Sequence, residues 1–401
     1  MSNLEKLIQD LCPNGVPFIK LKDVCAFRKG ASLSKADKGL GDTPIILYGE
    51  LYTTYGDYIN EITSFTSLER AQAATPAQKG NILIPVSSTA KDAQIGKASA
   101  LNVDYPVYIG GDAIILEHQQ EPGYLVHLLN SHWFKTKKMK CVHGATIMHL
   151  LPKELAEIYI PVPPLEVQCE IVRILDNFTE LTTELTAELT ARKKQYEYYA
   201  QRLLALSRSV QSYPLREIVD FRNGKGHEKN IVDNGNYIVV NSKFISTNGE
   251  VKKYSDYQIS PLFVDDILMV MSDLPSGRAL AKCFLVDEND KYTLNQRIGA
   301  FHVKDSKFVD ARFLMYILNR NPQLLKYDNG VDQTNLKKDD ILNITIQVPP
   351  LKEQERIVSI LDRFDTLCND ISAGLPAEIE ARQKQYEYYR DKLLTFKEIE
   401  A

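Results

Sequence analysis

Residues 191–199 read Ala-Arg-Lys-Lys-Gln-Tyr-Glu-Tyr-Tyr, and residues 381–389 read Ala-Arg-Gln-Lys-Gln-Tyr-Glu-Tyr-Tyr. The wider windows Leu185–Leu204 and Leu375–Leu394 agree at 13 of 20 positions. Upstream, Pro163–Leu181 and Pro349–Leu367 agree at 11 of 19. The first pair is offset by 190 and the second by 186, so the second copy carries four extra residues between its halves. Fainter matches extend outward. Leu21, Phe27, Arg28 and Gly30 align with Leu215, Phe221, Arg222 and Gly224. Tyr124–Asn130 aligns with Phe313–Asn319, and Gly144 and Leu150 with Gly330 and Leu336. The chain is two tandem copies of one unit: a variable region of about 150 residues, then a matching segment of about 45.

The matching segments carry apolar residues at steps of three and four, the pattern of long helices packed in a coiled coil. The seam expected from this stripe comprises Leu175, Phe178, Leu185, Leu189, Tyr196, Tyr199 and Leu203 in the first segment. In the second it comprises Leu361, Phe364, Ile379, Tyr386, Tyr389 and Leu393. Tyr198 and Tyr388 fall off the stripe. Pro163-Pro164 and Pro349-Pro350 hold the chain extended just before each helix. Gly374 and Pro376 should break or kink the second. Four-residue phrases repeat within the first: Leu181-Thr-Thr-Glu, Leu185-Thr-Ala-Glu, Leu189-Thr-Ala-Arg.

The variable regions read as mixed α and β. Strands are expected at 44–48, 81–86, 113–117, 237–240, 267–271 and 299–303, where short apolar runs are bounded by turn residues. Helices are expected at 121–137 and 307–319. The fold class is α+β: two globular mixed domains separated by two long helices.

Composition narrows the function. The 401 residues are 44% hydrophobic and 25% charged, an ordinary globular balance. No apolar run approaches membrane-spanning length. The six cysteines form no C-x-x-C pair, so a zinc ribbon or a secreted disulfide framework is not suggested and a reducing cytoplasm is the default compartment. Lys plus Arg is 48 against Asp plus Glu 52, a net charge of −4. Any polyanion site is therefore a local patch, or is completed by a partner.

No catalytic or metal constellation survives inspection. There is no Walker-type G-x-x-x-x-G-K-[ST] and no G-x-S-x-G elbow. The Asn-Pro-Pro-aromatic or Asp-Pro-Pro-Tyr run of an amino-methyltransferase is also missing. Gly224-Lys225-Gly226 is a lone G-x-G that reads as a turn. Glu250-Val251-Lys252 with Asp233 reads as a polar hairpin rather than a nuclease core. His127, His132, His143, His149 and Cys141 match no ligand spacing.

Some polar segments do suit nucleic acid. Lys135, Lys137, Lys138 and Lys140 cluster at a helix end beside Trp133 and Phe134, where they can meet phosphates or complement the helix C-terminus. The loop with Ser87, Ser88, Thr89, Lys91, Gln94 and Lys97 has a counterpart with Ser272, Ser276 and Arg278. Short hydrogen-bonding side chains and isolated cations suit base edges and backbone, as they suit any solvated loop. Asn295-Gln296-Arg297 and Gln333-Thr334-Asn335 bring amides and a guanidinium capable of bidentate base readout.

Each helical segment opens with Pro-Pro-Leu-x-x-Gln, continues Ile-Val-x-Ile-Leu-Asp-x-Phe, and ends Arg-x-Lys-Gln-Tyr-Glu-Tyr-Tyr. This pattern resembles the specificity subunit of type I restriction–modification systems, in the group with Thr-Ala-Glu-Leu repeats in the central helix. One departure is Val167, where the second copy has the more usual Glu353. The resemblance implies two target recognition domains, at 1–160 and 213–346, each reading half of a bipartite DNA sequence. It implies helical regions at 161–212 and 347–401 that pack antiparallel, give a pseudo-two-fold tandem repeat and set the spacing. It implies two methyltransferase subunits and two motor–nuclease subunits as partners. S-adenosylmethionine, ATP and Mg²⁺ are expected on those partners, with no catalysis and no metal on this chain. The competing reading is a coiled-coil scaffold with two protein-binding domains. Charge neutrality favours the scaffold slightly and the family motifs count heavily against it, while geometry agrees with recognition: a helix of roughly 40 residues spans about 60 Å, ample for half-sites about 34–36 Å apart.

Overall fold

The computed structural model describes residues 3–31, 33–88, 95–144, 146–207, 209–275, 277–369 and 374–399. It divides into two compact units, Met1–Ala187 with Ala377–Ala401, and Glu188–Pro376. Each is a mixed α/β body with part of a helix pair attached.

Both units open and close their variable region with an antiparallel two-strand clasp. Phe18–Lys20 pairs with Tyr159–Pro161 in the first. Ser212–Pro214 pairs with Thr345–Gln347 in the second. In the second unit Val210 N donates to Ser207 O just ahead of the clasp; in the first, Val16 N donates to Lys397 O. The same backbone bond is thus made within one turn in one copy and between remote segments in the other.

The main sheet of the first unit runs Cys25–Lys29, Ala113–His118, Ile82–Pro85, Ser99–Leu101, Tyr58–Ile59. That of the second runs Val219–Asn223, Ile298–Val303, Ile267–Val270, Cys283–Leu285. The central strands Ile82–Pro85 and Ile267–Val270 are buried at every position, which is why they read as unbroken apolar runs rather than alternating ones. A smaller sheet accompanies each: Ser64–Thr66, Thr43–Ile46, Val107–Ile109 and Thr75–Ala77 in the first unit, and Tyr254–Ser255, Tyr237–Val240 and Tyr292–Leu294 in the second.

The expected strands all form, within two residues at their ends. The expected helix 121–137 does not: it is two helices, Pro122–Leu129 and His132–Lys138. The Asn130 side chain is drawn away to Ala98 N and O and to Asp57. Ser131 then starts the next helix, its hydroxyl accepting from Phe134 N. The helix expected at 307–319 shortens to Ala311–Leu318, with Asp310 as its N-cap.

The long helix Leu165–Leu204 is continuous over 40 residues. The second segment is two helices, Leu351–Asn369 and Leu375–Leu393, with Pro376 in the first turn of the latter. In the first unit Phe178 stacks on Tyr389, ring centroids 5.4 Å apart. In the second Tyr199 stacks on Phe364 at 6.0 Å, with Tyr196 tilted against the same ring. These are the same pair under the repeat. Leu175 and Leu361 are fully buried. Tyr386 and Leu393 pack on the first core, and Tyr196 and Leu203 on the second. In the second unit residue 196 meets 364 while Leu203 joins Ile357 and Leu361, so the helices run antiparallel. Leu185, Leu189 and Ile379 are half-buried, and Leu181 and Leu367 of the same stripe are exposed, so the seam is narrow. Tyr198 and Tyr388 are exposed, as their place off the stripe requires.

The repeated motifs have assignable jobs. Gln168 accepts from Glu121 N, the N-cap of Pro122–Leu129, and donates to Pro163 O. Gln354 accepts from Asp310 N and donates to Phe308 O and Pro349 O. Asp176 accepts from Tyr58 OH and lies 2.8 Å from His127 Nε2. Its counterpart Asp362 accepts from Arg312 Nε and Tyr316 OH. Burial and the adjacent carboxylates push the Tyr58 and Tyr316 hydroxyls far up, so both remain donors. One glutamine and one aspartate of each helical segment therefore clasp the domain helix that precedes it.

Candidate nucleic-acid interface

In each unit one residue of a central strand's extension joins a turn to a small antiparallel ribbon, two-stranded in the second unit and three-stranded in the first, where Val142–His143 adds an outer strand. In the second unit Met271 N donates to Arg297 O, and Leu336 N donates to Met271 O. Beyond Met271 the chain pairs Ser272 with Asn335 and Asp273 with Thr334. In the first unit Val86 N donates to Asp112 O, and Leu150 N donates to Val86 O. Beyond Val86 the chain pairs Ser87 with His149 and Ser88 with Met148. The bonds correspond one for one, yet the side chains at the junction differ.

A glycine makes each turn possible. A Cβ on Gly224 would lie 1.9 Å from Asn295 O, and one on Gly30 would lie 2.1 Å from Gly110 O. These are the glycines that align between the copies. The turn residues themselves adopt left-handed backbone, Asp112 at φ 59° and Arg297 at φ 68°. That conformation is uncommon for a residue other than glycine and costs energy. Both side chains are exposed and make no hydrogen bond or ion pair among the described residues.

Sequence reasoning named many of these positions separately, and the fold brings several together. Gln333 Nε2 donates to Ser272 Oγ at 2.7 Å, so two segments 61 residues apart share one ribbon. Thr334 is buried within that ribbon and Asn335 is exposed on it. Asn295 caps the turn, its Oδ1 accepting from Gln296 N. Arg278 is exposed in the adjoining loop, which Asp273 organises by accepting from Ala279 N and Leu280 N. Ser87 and Ser88 are buried in the first ribbon, and Ser87 Oγ lies 3.0 Å from His149 Nδ1. Thr89, Lys91, Gln94 and Ser276 lie outside the described residues.

Two of the lysines bond to carbonyls of the first unit. Lys138 is buried, and its ammonium donates to Gly96 O and Leu129 O. Burial, with Lys135 nearby, pulls it down to about 8. Lys97 Nζ donates to Tyr55 O at 2.6 Å, and burial lowers its pKa. As placed, both ammonium groups satisfy carbonyls within the first unit, Lys138 buried and Lys97 half-buried. Lys135 and Lys140 are exposed, and Lys137 lies over the Trp133 ring at 4.0 Å. An adjoining cleft of about 610 Å³ is lined by Lys97, Lys135, Lys138, Arg390 and His132 together with Asp57, Glu387 and Asp391.

Asp112 escaped sequence reasoning, and His149 was weighed there only as a metal ligand. The signal for Asp112 was present in the Gly30–Gly224 alignment, which places a turn against each glycine. For His149 nothing in the sequence announces pairing with Ser87. No cluster of His, Cys, Asp or Glu able to hold a metal occurs among the described residues.

The family model for the type I restriction modification DNA specificity domain matches residues 13–192 and again residues 208–381. The chain belongs to this family. A putative type I restriction enzyme specificity subunit of Haemophilus influenzae is 36% identical over 269 residues, 62% of this chain and 66% of that protein. The EcoR124I/EcoR124II specificity subunit of Escherichia coli is 37% identical over 253 residues, 59% of this chain and 61% of that one. The aligned part thus spans just under two thirds of these specificity subunits. Among solved structures, a chain from work on assembly and conformational transition of the type I restriction–modification system superposes with a TM-score of 0.64 at 18% identity, covering 96% of this chain and 98% of its own. The specificity subunit from M. genitalium gives 0.53 at 14%, covering 95% and 96%. These structural likenesses establish the fold.

Proposed function

We propose that this chain is the DNA sequence-recognition subunit of a type I restriction–modification complex. Residues 1–160 and 213–346 are the target recognition domains, and each reads one half of a bipartite site. Residues 161–212 and 347–401 are the helical regions that set the spacing, and the Thr-Ala-Glu-Leu phrases support membership of the group that carries such repeats. The observation that carries this reading is the doubled junction: one backbone scaffold built twice, with different exposed polar side chains, on helical segments that match. A single recognition task would need one such surface, and two binding domains of unrelated purpose would not share its bonds. That argument also weighs against a plain protein scaffold.

The junction suits DNA physically. A two-stranded ribbon enters the major groove, which is about 12 Å wide and displays a distinct donor–acceptor pattern for every base pair. Ser272, Arg278, Asn295, Gln296, Arg297, Gln333 and Asn335 in one unit, with Ser87, Ser88, Lys135, Lys137 and Lys140 in the other, are the contact candidates. Partners are two methyltransferase subunits and two motor–nuclease subunits, which carry S-adenosylmethionine, ATP and Mg²⁺; this chain performs no catalytic step. Its place is the cytoplasm, a reading supported by six free cysteines. Among the described residues no helix is long and apolar enough to cross a membrane.

Methylome sequencing of a host expressing the intact system tests this. A bipartite motif with a fixed gap is expected. Replacing residues 1–160 with another member's first domain should change one half of that motif only. Both halves changing together, or methylation indifferent to this chain, would overturn it.

A further inference from the structure

We infer that the two strained turn residues are specificity-determining residues, Arg297 reading guanine in one half-site and Asp112 reading the exocyclic amine of cytosine in the other. The inference rests on the DNA-recognition reading above and assigns chemistry within it. Asp112 and Arg297 occupy one position of the shared scaffold: each carbonyl accepts from the residue that opens the ribbon, Val86 N and Met271 N respectively. Each turn is held by an aligned glycine whose Cβ would strike the turn backbone. Each residue keeps left-handed backbone although glycine would hold it at less cost. Each side chain is exposed and unused by the fold, and only the chemistry of the side chain differs.

That pattern is what a readout position requires. The scaffold needs a left-handed residue there, and the fold has no need of a carboxylate or a guanidinium. Arg presents two parallel donors that match O6 and N7 of guanine. Asp presents acceptors only, and beside a phosphate it would be repelled, so its productive partner is a base donor such as N4 of cytosine. The ribbon places Asn335 or His149 two strands away, about 10 Å across at ordinary strand spacing. That is the rise of about three base pairs, which makes the turn and the ribbon contact different positions of one half-site.

The test uses the chain assembled with its cognate methyltransferase subunits, and variants Arg297→Gly and Asp112→Gly. Glycine relieves the strained backbone, so both variants should melt no lower than the parent. The parent complex should prefer its cognate duplex over one changed at the relevant base pair by about 5- to 150-fold, the range for one bidentate base contact, with the single N4–H bond of Asp112 at the lower end of that range. In Arg297→Gly that ratio should fall to within twofold at one G·C pair of one half-site, with every other position keeping its ratio. In Asp112→Gly the same should happen at one G·C pair of the other half-site. A variant that weakens binding equally on all duplexes and flattens the salt dependence would make the residue a phosphate contact and overturn the inference. So would a variant with unchanged ratios throughout. A parent complex that discriminates no bipartite site would instead refute the underlying reading.

Discussion

Lys138 and Lys135 sit three residues apart and face opposite fates, and burial decides between them. Lys138 exchanges hydration for two carbonyls, Gly96 O and Leu129 O, while Lys135 stays exposed. Because the folded value of Lys138 falls from 10.5 to about 8, the unfolded chain binds more protons between those values. Stability should therefore rise as pH climbs through that window. Denaturant melts at pH 7 and pH 9.5 should show a gain in the parent that Lys138→Met lacks; an equal pH response in both would refute the assignment. On DNA the expectation reverses. Changing Lys135, Lys137 and Lys140 to Ala should reduce the salt slope by up to about three and leave the preferred motif intact. Lys138→Met should leave the slope alone. A second residue-scale case is Gly224. An added Cβ 1.9 Å from Asn295 O must displace the Asn295–Arg297 turn. Gly224→Ala should cost about 1–3 kcal/mol and degrade one half-site of the methylated motif, with Gly30→Ala degrading the other. A thermal melt and a methylome for each variant would show it.

Elements were legible where one period governs them. The long helix could be read from its stripe because steps of three and four recur over ten turns, and its threonines do not disturb it: Thr179, Thr182, Thr183 and Thr186 turn their hydroxyls onto carbonyls one turn back. The central strands Ile82–Pro85 and Ile267–Val270 could be read because both faces are buried. The break at Asn130–Ser131 was hidden, since it depends on Asn130 finding Ala98 and Asp57, contacts made only in the folded chain. Ribbon pairing was hidden for the same reason: Ser87 meets His149 across 62 residues. The repeated Gln was visible as a motif, but its task was not. Gln354 is fully buried and holds the Asp310 cap, Phe308 O and Pro349 O together. Gln354→Leu leaves Asp310 N, Phe308 O and Pro349 O without this partner, and for the buried Pro349 O the loss is worth about 1–3 kcal/mol. Hydrogen exchange should then quicken over Ala311–Leu318 while Pro122–Leu129 keeps its protection. The reverse outcome, or uniform quickening, would argue against so local a role.

At the scale of the whole molecule the question is how a helix can carry information about distance. The boundary between the compact units, Ala187 to Glu188, falls inside the repeated phrases Leu181–Arg192. The anchoring aromatic pairs lie outside the phrases, Phe178 with Tyr389 before them and Tyr196 and Tyr199 with Phe364 after them. Added turns here lengthen the helix between these aromatic pairs and leave the pairs themselves in place. Inserting one more Thr-Ala-Glu-Leu unit after Leu189 should keep both half-site sequences and widen the gap between them. Four residues add about 6 Å of helix and about 400° of rotation, a net advance near 40°. One base pair adds about 3.4 Å and about 35°. Length alone would allow nearly two base pairs, whereas rotation matches one. Rotation should decide, because a misrotated recognition domain loses its base contacts while helix tilt and DNA flexibility absorb a few ångströms. A four-residue insertion is also a stutter that coiled coils tolerate. The expected result is a gap longer by one base pair, read directly from the methylome of the insertion variant. An unchanged gap, or an altered half-site, would mean that this helix does not measure the distance.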